Sequence, residues 1–285
     1  MPLKQRFSIA IPASLVSDIP HLREKTSRIG LIGRAAAIFR IDEIIVFPDM
    51  PKTDQRRDME LIFTILSYLE TPQYLRKKLF GLKPELRYVG VLPPLRTPHH
   101  PLSNKTENLK IGEHREGVVV SKNKNGSFVD VGVEKALFLP NIQLLPKTRV
   151  TVKIVKLGKS PELALADVNE IEDYWGFHIT VSNMTLAQLL KERKFHLTIA
   201  TSRRGAPFTH VMENLKQRLQ NSKNVLIIFG APTMGLYEIV AQNGLKLEDI
   251  VDFVVNTIPC QGTETVRTEE AVFASLALLN FLIKG

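Results

Sequence analysis

Short apolar runs alternate with helix-length amphipathic segments at both ends of this 285-residue chain, and the alternation stops in the middle. Phe7–Val16 reads as an apolar strand, Pro20–Arg40 as a basic segment running into a helix, and Glu43–Phe47 as a second strand closed by Pro48 and Asp49. Asp54–Phe80 places Met59, Ile62, Leu66 and Leu69 at three- and four-residue spacing, which predicts a long helix interrupted near Pro72. Leu86–Leu92 is predicted as a further strand. Toward the C-terminus the pattern resumes: helix Leu186–Lys194, strand His196–Ser202, helix Thr209–Asn221, strand Asn224–Gly230, helix Leu236–Gln242, strand Val251–Val255 and a last helix Thr268–Ile283. Strands alternating with helices call for a parallel sheet covered on both faces, so the fold class is α/β.

The middle has another texture. Pro93, Pro94, Pro98 and Pro101 break the pattern and mark a boundary, and the adjacent His99 and His100, with no third ligand at a convincing spacing, read as linker rather than metal site. From Gly112 to Val168 the chain shows short strands at His114–Ser121, Gly126–Val131, Lys135–Leu139, Arg149–Val155 and Glu162–Ala166, a set that fits a small barrel of the oligonucleotide-binding (OB) type. Phe128 and Phe138 either fill that barrel's core or, with Lys122 and Lys124, form a stacking surface. Glu170–Asn183 leads back, and its cluster of Tyr174, Trp175 and Phe177 reads as junction packing. The expected organisation is an α/β domain made of residues 1–93 and 173–285, split by an inserted barrel over residues 94–172.

Composition narrows the class. No apolar run approaches the ~20 residues needed to cross a bilayer, and Met1–Phe7 lacks a signal-peptide core, so a cytoplasmic protein with no membrane contact is expected. The single cysteine, Cys260, excludes an internal disulfide and any multi-cysteine zinc site, and beside Pro259 it reads as a small neutral filler. A formal charge of +9 favours a polyanionic partner such as nucleic acid.

Three polar segments follow predicted strands: ATSRRG (200–205), FGAPTMGL (229–236) and NTIPCQGTETVRTEEA (256–271). In open α/β sheets, ligands bind beyond the carboxyl ends of the strands, so the three are expected to converge. Gly230 and Gly235 have the spacing of a phosphate-binding loop, but Leu236 and Tyr237 stand where Lys and Ser or Thr would hold phosphate and magnesium. No dinucleotide fingerprint, nucleophile elbow or zinc-protease spacing is present either. The segments therefore suit a ligand with little phosphate. In the third, Thr268 followed by Glu269 and Glu270 reads as a helix N-cap with acids in the first turn.

Val225–Gly235 followed by Asn256–Ala271 closely resembles the trefoil-knotted SPOUT superfamily of S-adenosylmethionine-dependent RNA methyltransferases, in its archaeal and eukaryotic branch with a barrel inserted in the knotted domain. The resemblance extends over essentially the whole chain. It implies a SPOUT-type knot near the C-terminus, a homodimer whose interface lies against the cofactor site, and S-adenosyl-L-methionine as cofactor. It implies a cofactor pocket lined by Ala200, Thr201 and Ser202, by Phe229, Gly230, Pro232 and Gly235, and by Thr257, Ile258, Pro259, Gly262, Val266, Arg267 and Thr268. The stretch RIGLIGRAAAIFRIDE (28–43) is similar to the superfamily's N-terminal signature and puts Arg34 where relatives keep a substrate-handling or catalytic arginine; Arg267 is a second candidate, and an ion pair with Glu264 would equally explain it. The resemblance implies methylation of RNA, ribosomal RNA in particular, and at uridine N3. A nucleic-acid-binding or ribosome-assembly factor that keeps the fold without catalysis is the alternative.

Overall fold

The computed structural model describes residues 5–158 and 160–284; Met1–Lys4, and with them most of the Met1–Phe7 stretch, lie outside the described residues. The chain forms two compact units. The first comprises residues up to Ser67, Glu85–Pro93 and Phe177 onward; the second comprises Tyr68–Pro84 and Pro94–Gly176.

The first unit is built on strands β1 (Arg6–Pro12) and β2 (Glu43–Phe47), separated by helix α1 (Leu22–Ile38). Helix α2 (Arg56–Glu70) begins in this unit and α3 (Gln73–Leu79) lies in the second. After the second unit come β8 (His178–Val181), α4 (Leu186–Glu192), β9 (Leu197–Pro207), α5 (Phe208–Gln220), β10 (Asn224–Ile228), α6 (Leu236–Ala241), β11 (Phe253–Asn256) and α7 (Thr268–Lys284). The strands form one six-stranded sheet in the order β11-β9-β10-β1-β2-β8, and every pairing is parallel. Strand side chains alternate in direction. Ala10, Ile45, Phe47, Ala200, Leu226 and Ile228 pack with Leu186 and Leu189 of α4 and Leu236, Ile239 and Val240 of α6 on one face. Ile9, Ile11, Ile44, Val46 and Ile227 point the other way and are fully buried. Helices α1, α5 and α7, in contact through α7, form the second layer.

The strand β8 escaped the sequence reading, because HITV is short and half-exposed. A buried carboxylate holds it. Glu43 on β2 accepts hydrogen bonds from Thr180 on β8 at 2.6 Å and from both terminal nitrogens of Arg193 at 2.7 Å, with His178 at 3.3 Å. Burial opposes its ionisation, but the bonds from His178, Arg193 and Thr180 win and hold its carboxyl well below the usual range. At the other end of β1 and β2, buried Asp49 accepts from the Ser14 backbone at 3.0 Å and from Gln55 at 2.9 Å.

The predicted strand Leu86–Leu92 is not one: Pro84–Leu86 and Val89–Val91 are 3-10 turns. None of these residues is buried, so the apolar alternation of that stretch has no sheet face to fill. The predicted strand Phe7–Val16 likewise ends at Pro12, and Ala13–Val16 turn as a buried 3-10 helix.

The second unit is a closed barrel, β3-β4-β5-β7-β6, made of β3 (His114–Asn123), β4 (Gly126–Asp130), β5 (Leu137–Pro140), β6 (Arg149–Lys156) and β7 (Glu162–Leu165). Its core includes Val119, Val129, Val131, Leu137, Leu139, Val152, Ile154 and Leu163. Tyr74 of α3 donates to the Glu116 carbonyl of β3 at 2.7 Å. His99 is not exposed linker: it is fully buried with Nε2 3.1 Å from a Glu70 carboxylate oxygen, and Arg149 completes a bidentate contact with Glu70 at 2.7 and 3.1 Å. Trp175 donates to Glu116 at 2.7 Å. Among the described residues no group of three or more metal-ligating side chains occurs, and no helix is long and apolar enough to cross a membrane.

Candidate functional site

The three polar segments singled out in the sequence meet at the carboxyl edge of the sheet, around one cavity of about 410 Å³. That size lies within the range of small-molecule sites.

The first segment is an excursion inside β9 rather than a loop after it. Ile199 and Ala200 pair with Phe253 and Val254 of β11, and pairing resumes only at Ala206 and Pro207, opposite Val255 and Asn256, so residues 201–205 are displaced from the ladder. Gly205 makes this possible: a Cβ there would stand 2.7 Å from the Val254 carbonyl carbon and oxygen. The excursion is pinned by Thr201, which donates to the Ile228 carbonyl at 3.0 Å, and by Asn256, whose side-chain amide donates to the Arg203 carbonyl at 3.0 Å. Thr201 and Ser202 do not cap the next helix, which begins after Pro207 without a side-chain cap.

The second segment leaves β10 with the Phe229 N–H bonded to the Ala10 carbonyl at 3.0 Å and the Ala231 N–H bonded to Met234 at 2.9 Å. This tight turn brings Gly230 against the start of α6, where a Cβ would meet the Leu236 nitrogen at 3.2 Å and Gly235 Cα at 3.3 Å. Neighbours that are backbone cannot swing aside, so Gly230 is needed for the turn.

The third segment opens with an Asx turn, the Ile258 N–H donating to the Asn256 side chain at 3.0 Å. Gln261 donates to the Thr263 and Glu264 carbonyls at 2.9 and 3.1 Å. Thr268 is not the N-cap of α7: it is the helix's first residue, and its hydroxyl donates across the site to the Gly230 carbonyl at 2.9 Å. The reciprocal bond of a capping box is supplied by Glu270, which accepts from the Arg267 N–H at 2.9 Å. Glu269 is buried against Arg28 of α1 at 2.8 Å.

Of the residues expected to hold a cofactor, Thr201, Ser202, Phe229, Gly230, Pro232, Gly235, Thr257, Ile258, Val266 and Thr268 line the cavity. Ala200 is buried behind it, while Pro259, Gly262 and Arg267 are exposed on the third segment and do not line it. Nothing lies within 4 Å of a Cβ built on Gly262. Cys260 is exposed with φ of 58°, so it fills no core. Arg34 lies about one turn from the end of α1, half-buried and outside the cavity lining.

The wall also carries groups the sequence reading did not assign. Arg204 donates to Glu238 at 2.6 Å and stacks over the Tyr237 ring at 4.2 Å. Arg203 donates to the Glu264 carbonyl at 3.0 Å. Glu238 falls in the first turn of α6, and its position as an acid at a helix start was the signal available for it. The wall thus offers backbone carbonyls, hydroxyls and the carboxylates Glu238 and Glu264, with cations on Arg203 and on Arg204, the latter balanced by Glu238.

Comparison with known proteins shows which family the chain belongs to. Residues 6–279 match the family described as "Putative RNA methyltransferase". A protein of Haloarcula marismortui is 34% identical over 95% of this chain and 98% of its own length. The 28S rRNA (uridine-N(3))-methyltransferases of Mus musculus and Homo sapiens are each 33% identical over 95% of this chain, and over 75% and 77% of their own lengths respectively. The chain belongs to this RNA methyltransferase family.

Proposed function

We propose that the chain methylates N3 of a uridine in ribosomal RNA, using S-adenosylmethionine bound in the cavity at the carboxyl edge of the sheet. The observation that carries this reading is the convergence of three polar segments at the carboxyl edge of the sheet on one cavity that has no phosphate-binding loop. The names of the mouse and human relatives support the substrate.

The residues present fit such a donor. Backbone groups of the Phe229–Gly235 turn and the Thr257–Ile258 corner offer hydrogen bonds to an adenine edge, the hydroxyls of Thr201 and Ser202 suit a ribose, and Glu238 and Glu264 put negative charge beside a cationic sulfonium. Ala200, Pro259 and Gly262 belong to the same segments and would shape them from behind or at the rim. When bound, the donor supplies an electrophilic methyl group for an in-line displacement. The chain's own tasks are to hold the acceptor base in line, to exclude water and to see the imide proton off N3. Arg34 and Arg267, both outside the cavity wall, are assigned to the RNA side, where a guanidinium stabilises the anion left on the base.

The reading includes the knotted SPOUT-type arrangement of the C-terminal segments, residues 94–172 as an inserted OB-like domain, a homodimer and a cytoplasmic site of action. Exposed Leu31 and Ile38 on α1 and Phe281 on α7 support self-association. The test is calorimetry with S-adenosylmethionine followed by transfer of labelled methyl groups to ribosomal RNA. Arg34→Ala is expected to keep donor affinity and slow transfer, and Gly230→Ala, at a position that lines the cavity, to weaken donor binding. Absence of binding at millimolar donor would instead favour an RNA-binding assembly factor that does no chemistry.

A further inference from the structure

The barrel carries an aromatic pair that its own core does not use. Phe128 of β4 and Phe138 of β5 stand directly opposite each other in the antiparallel ladder, with ring centroids 5.2 Å apart. Their neighbours along each strand, Ser127 and Val129 on β4 and Leu137 and Leu139 on β5, are buried, while both phenylalanines remain half-exposed. Strand alternation therefore turns both rings outward. The choice left open by the sequence, core filling or surface, falls to surface.

The surroundings of the pair are specific. Phe128 lies opposite Ser121 on β3, where a bulge leaves Val120 out of the ladder and 38% exposed. The hairpin joining β3 to β4 presents Lys122 and Lys124, both exposed, with its turn fixed by the Asn125 N–H donating to Asn123 at 2.8 Å. Two carboxylates share this side of the barrel, and both are neutralised: Glu162, opposite Phe138, by Lys156 at 2.5 Å, and Asp130 by Lys78. Among the described residues neither Lys122 nor Lys124 takes part in an ion pair. The second and third strands of a five-stranded barrel and its first hairpin form the surface on which such barrels take oligonucleotides.

We propose that Phe128 and Phe138 form a stacking platform for two bases of single-stranded RNA, whose phosphates run toward Lys122 and Lys124. An apolar protein segment would cover the rings equally well but would leave the two lysines without a partner; a polyanion satisfies both. The ligand class rests on the RNA substrate proposed above, whereas the platform does not depend on the donor cavity.

The experiment is fluorescence anisotropy of a labelled single-stranded RNA of about eight nucleotides with the full chain, a length within the span that one such barrel covers. Phe128→Leu and Phe138→Leu keep apolar cover over the strands but remove the aromatic face, and each is expected to weaken RNA binding by about 5- to 100-fold. Tyrosine at either position should bind within about twofold of the parent, because the ring is what stacks. Replacing Lys122 and Lys124 by alanine should shallow the salt dependence by about 0.7 per lost phosphate contact. Donor affinity, measured by calorimetry on the same variants, should not move. Unchanged RNA affinity in the double leucine variant, with its thermal unfolding like the parent's, overturns the platform and leaves the donor site standing. Ring-dependent RNA binding without any donor binding keeps the platform and removes the methyltransfer reading.

Discussion

The Thr268 hydroxyl donates to the Gly230 carbonyl over 2.9 Å, joining the first residue of α7 to the turn after β10. Two segments that come from strands separated by β9 in the sheet are thereby tied over the cavity, and a second hydroxyl contact, Thr257 to Ser275 at 2.8 Å, fastens the same segment to the body of α7. Thr268→Val keeps the volume and leaves the Gly230 carbonyl without its partner. A cost of about 1 kcal/mol is expected in both unfolding free energy and donor binding, the latter read as roughly a fivefold rise in Kd by calorimetry.

Gly230 and Gly262 should behave oppositely. Gly230→Ala pushes a methyl against the backbone of Gly235 and Leu236 and is expected to open the turn, lowering donor affinity by about tenfold and stability by about 1–2 kcal/mol. Gly262→Ala enters open space, so denaturant midpoints and donor affinity should match the parent. Equal losses at both positions would mean that the third segment closes further onto the cavity than this structure shows.

The Glu238–Arg204 pair gives a charge test. Both side chains are about half exposed, so the pair itself contributes little to stability. Its role at the wall is to neutralise Arg204 beside a site proposed for a cationic ligand. Glu238→Gln should weaken S-adenosylmethionine by several-fold, consistent with about 1 kcal/mol between charges about 4 Å apart across solvent, and weaken S-adenosylhomocysteine, which lacks the sulfonium charge, much less. Parallel losses for both ligands would show that Glu238 acts through shape.

Acid should unfold the chain through two named carboxylates. Glu43 is held below the usual range, as described for β2 and β8, and burial of Glu70 is outweighed by its bonds from His99 and Arg149, which keep it down at about 2. A carboxylate whose folded pKa is depressed contributes stability that is full above its unfolded value near 4.5 and is lost as pH falls toward the folded value. Stability should therefore drop steeply between about pH 4.5 and 2. Glu70→Gln and Glu43→Gln should each flatten that slope in urea titrations, at a cost of about 2 kcal/mol at neutral pH. His178 works in the other direction: its pKa is raised by the Glu43 carboxylate, so its smaller contribution fades as pH climbs through that raised value.

The alternation of apolar runs and amphipathic helices was enough to read most of the sheet, because strands buried on both faces have continuous apolar stretches, Ile44–Phe47 and Val225–Ile228, with no polar position to blur them. The barrel strands were legible for a different reason: glycine and lysine-asparagine turns punctuate them. What sequence could not supply was pairing. Ala200–Gly205 looked like a strand end, and only the approach of β11 on its far side makes it an excursion held between two stretches of one ladder. Thr268 looked like a cap because threonine before two acids usually is one; its hydroxyl goes instead to a carbonyl 38 positions away. Burial of His99 was equally hidden, since a histidine amid prolines advertises exposure until Glu70 is placed beside it.

The sheet's centre has a consequence for how the chain comes into being. Arg6 pairs with Asn224 and Ala10 with Ile228, so β1 finds its neighbour β10 only after more than 200 further residues have been made. Until then its edge can be satisfied by β2 alone. Ribosome-bound intermediates of this protein should accordingly be sticky and slow to mature, and the second unit, whose strands are all near neighbours along the chain, should reach its native form first.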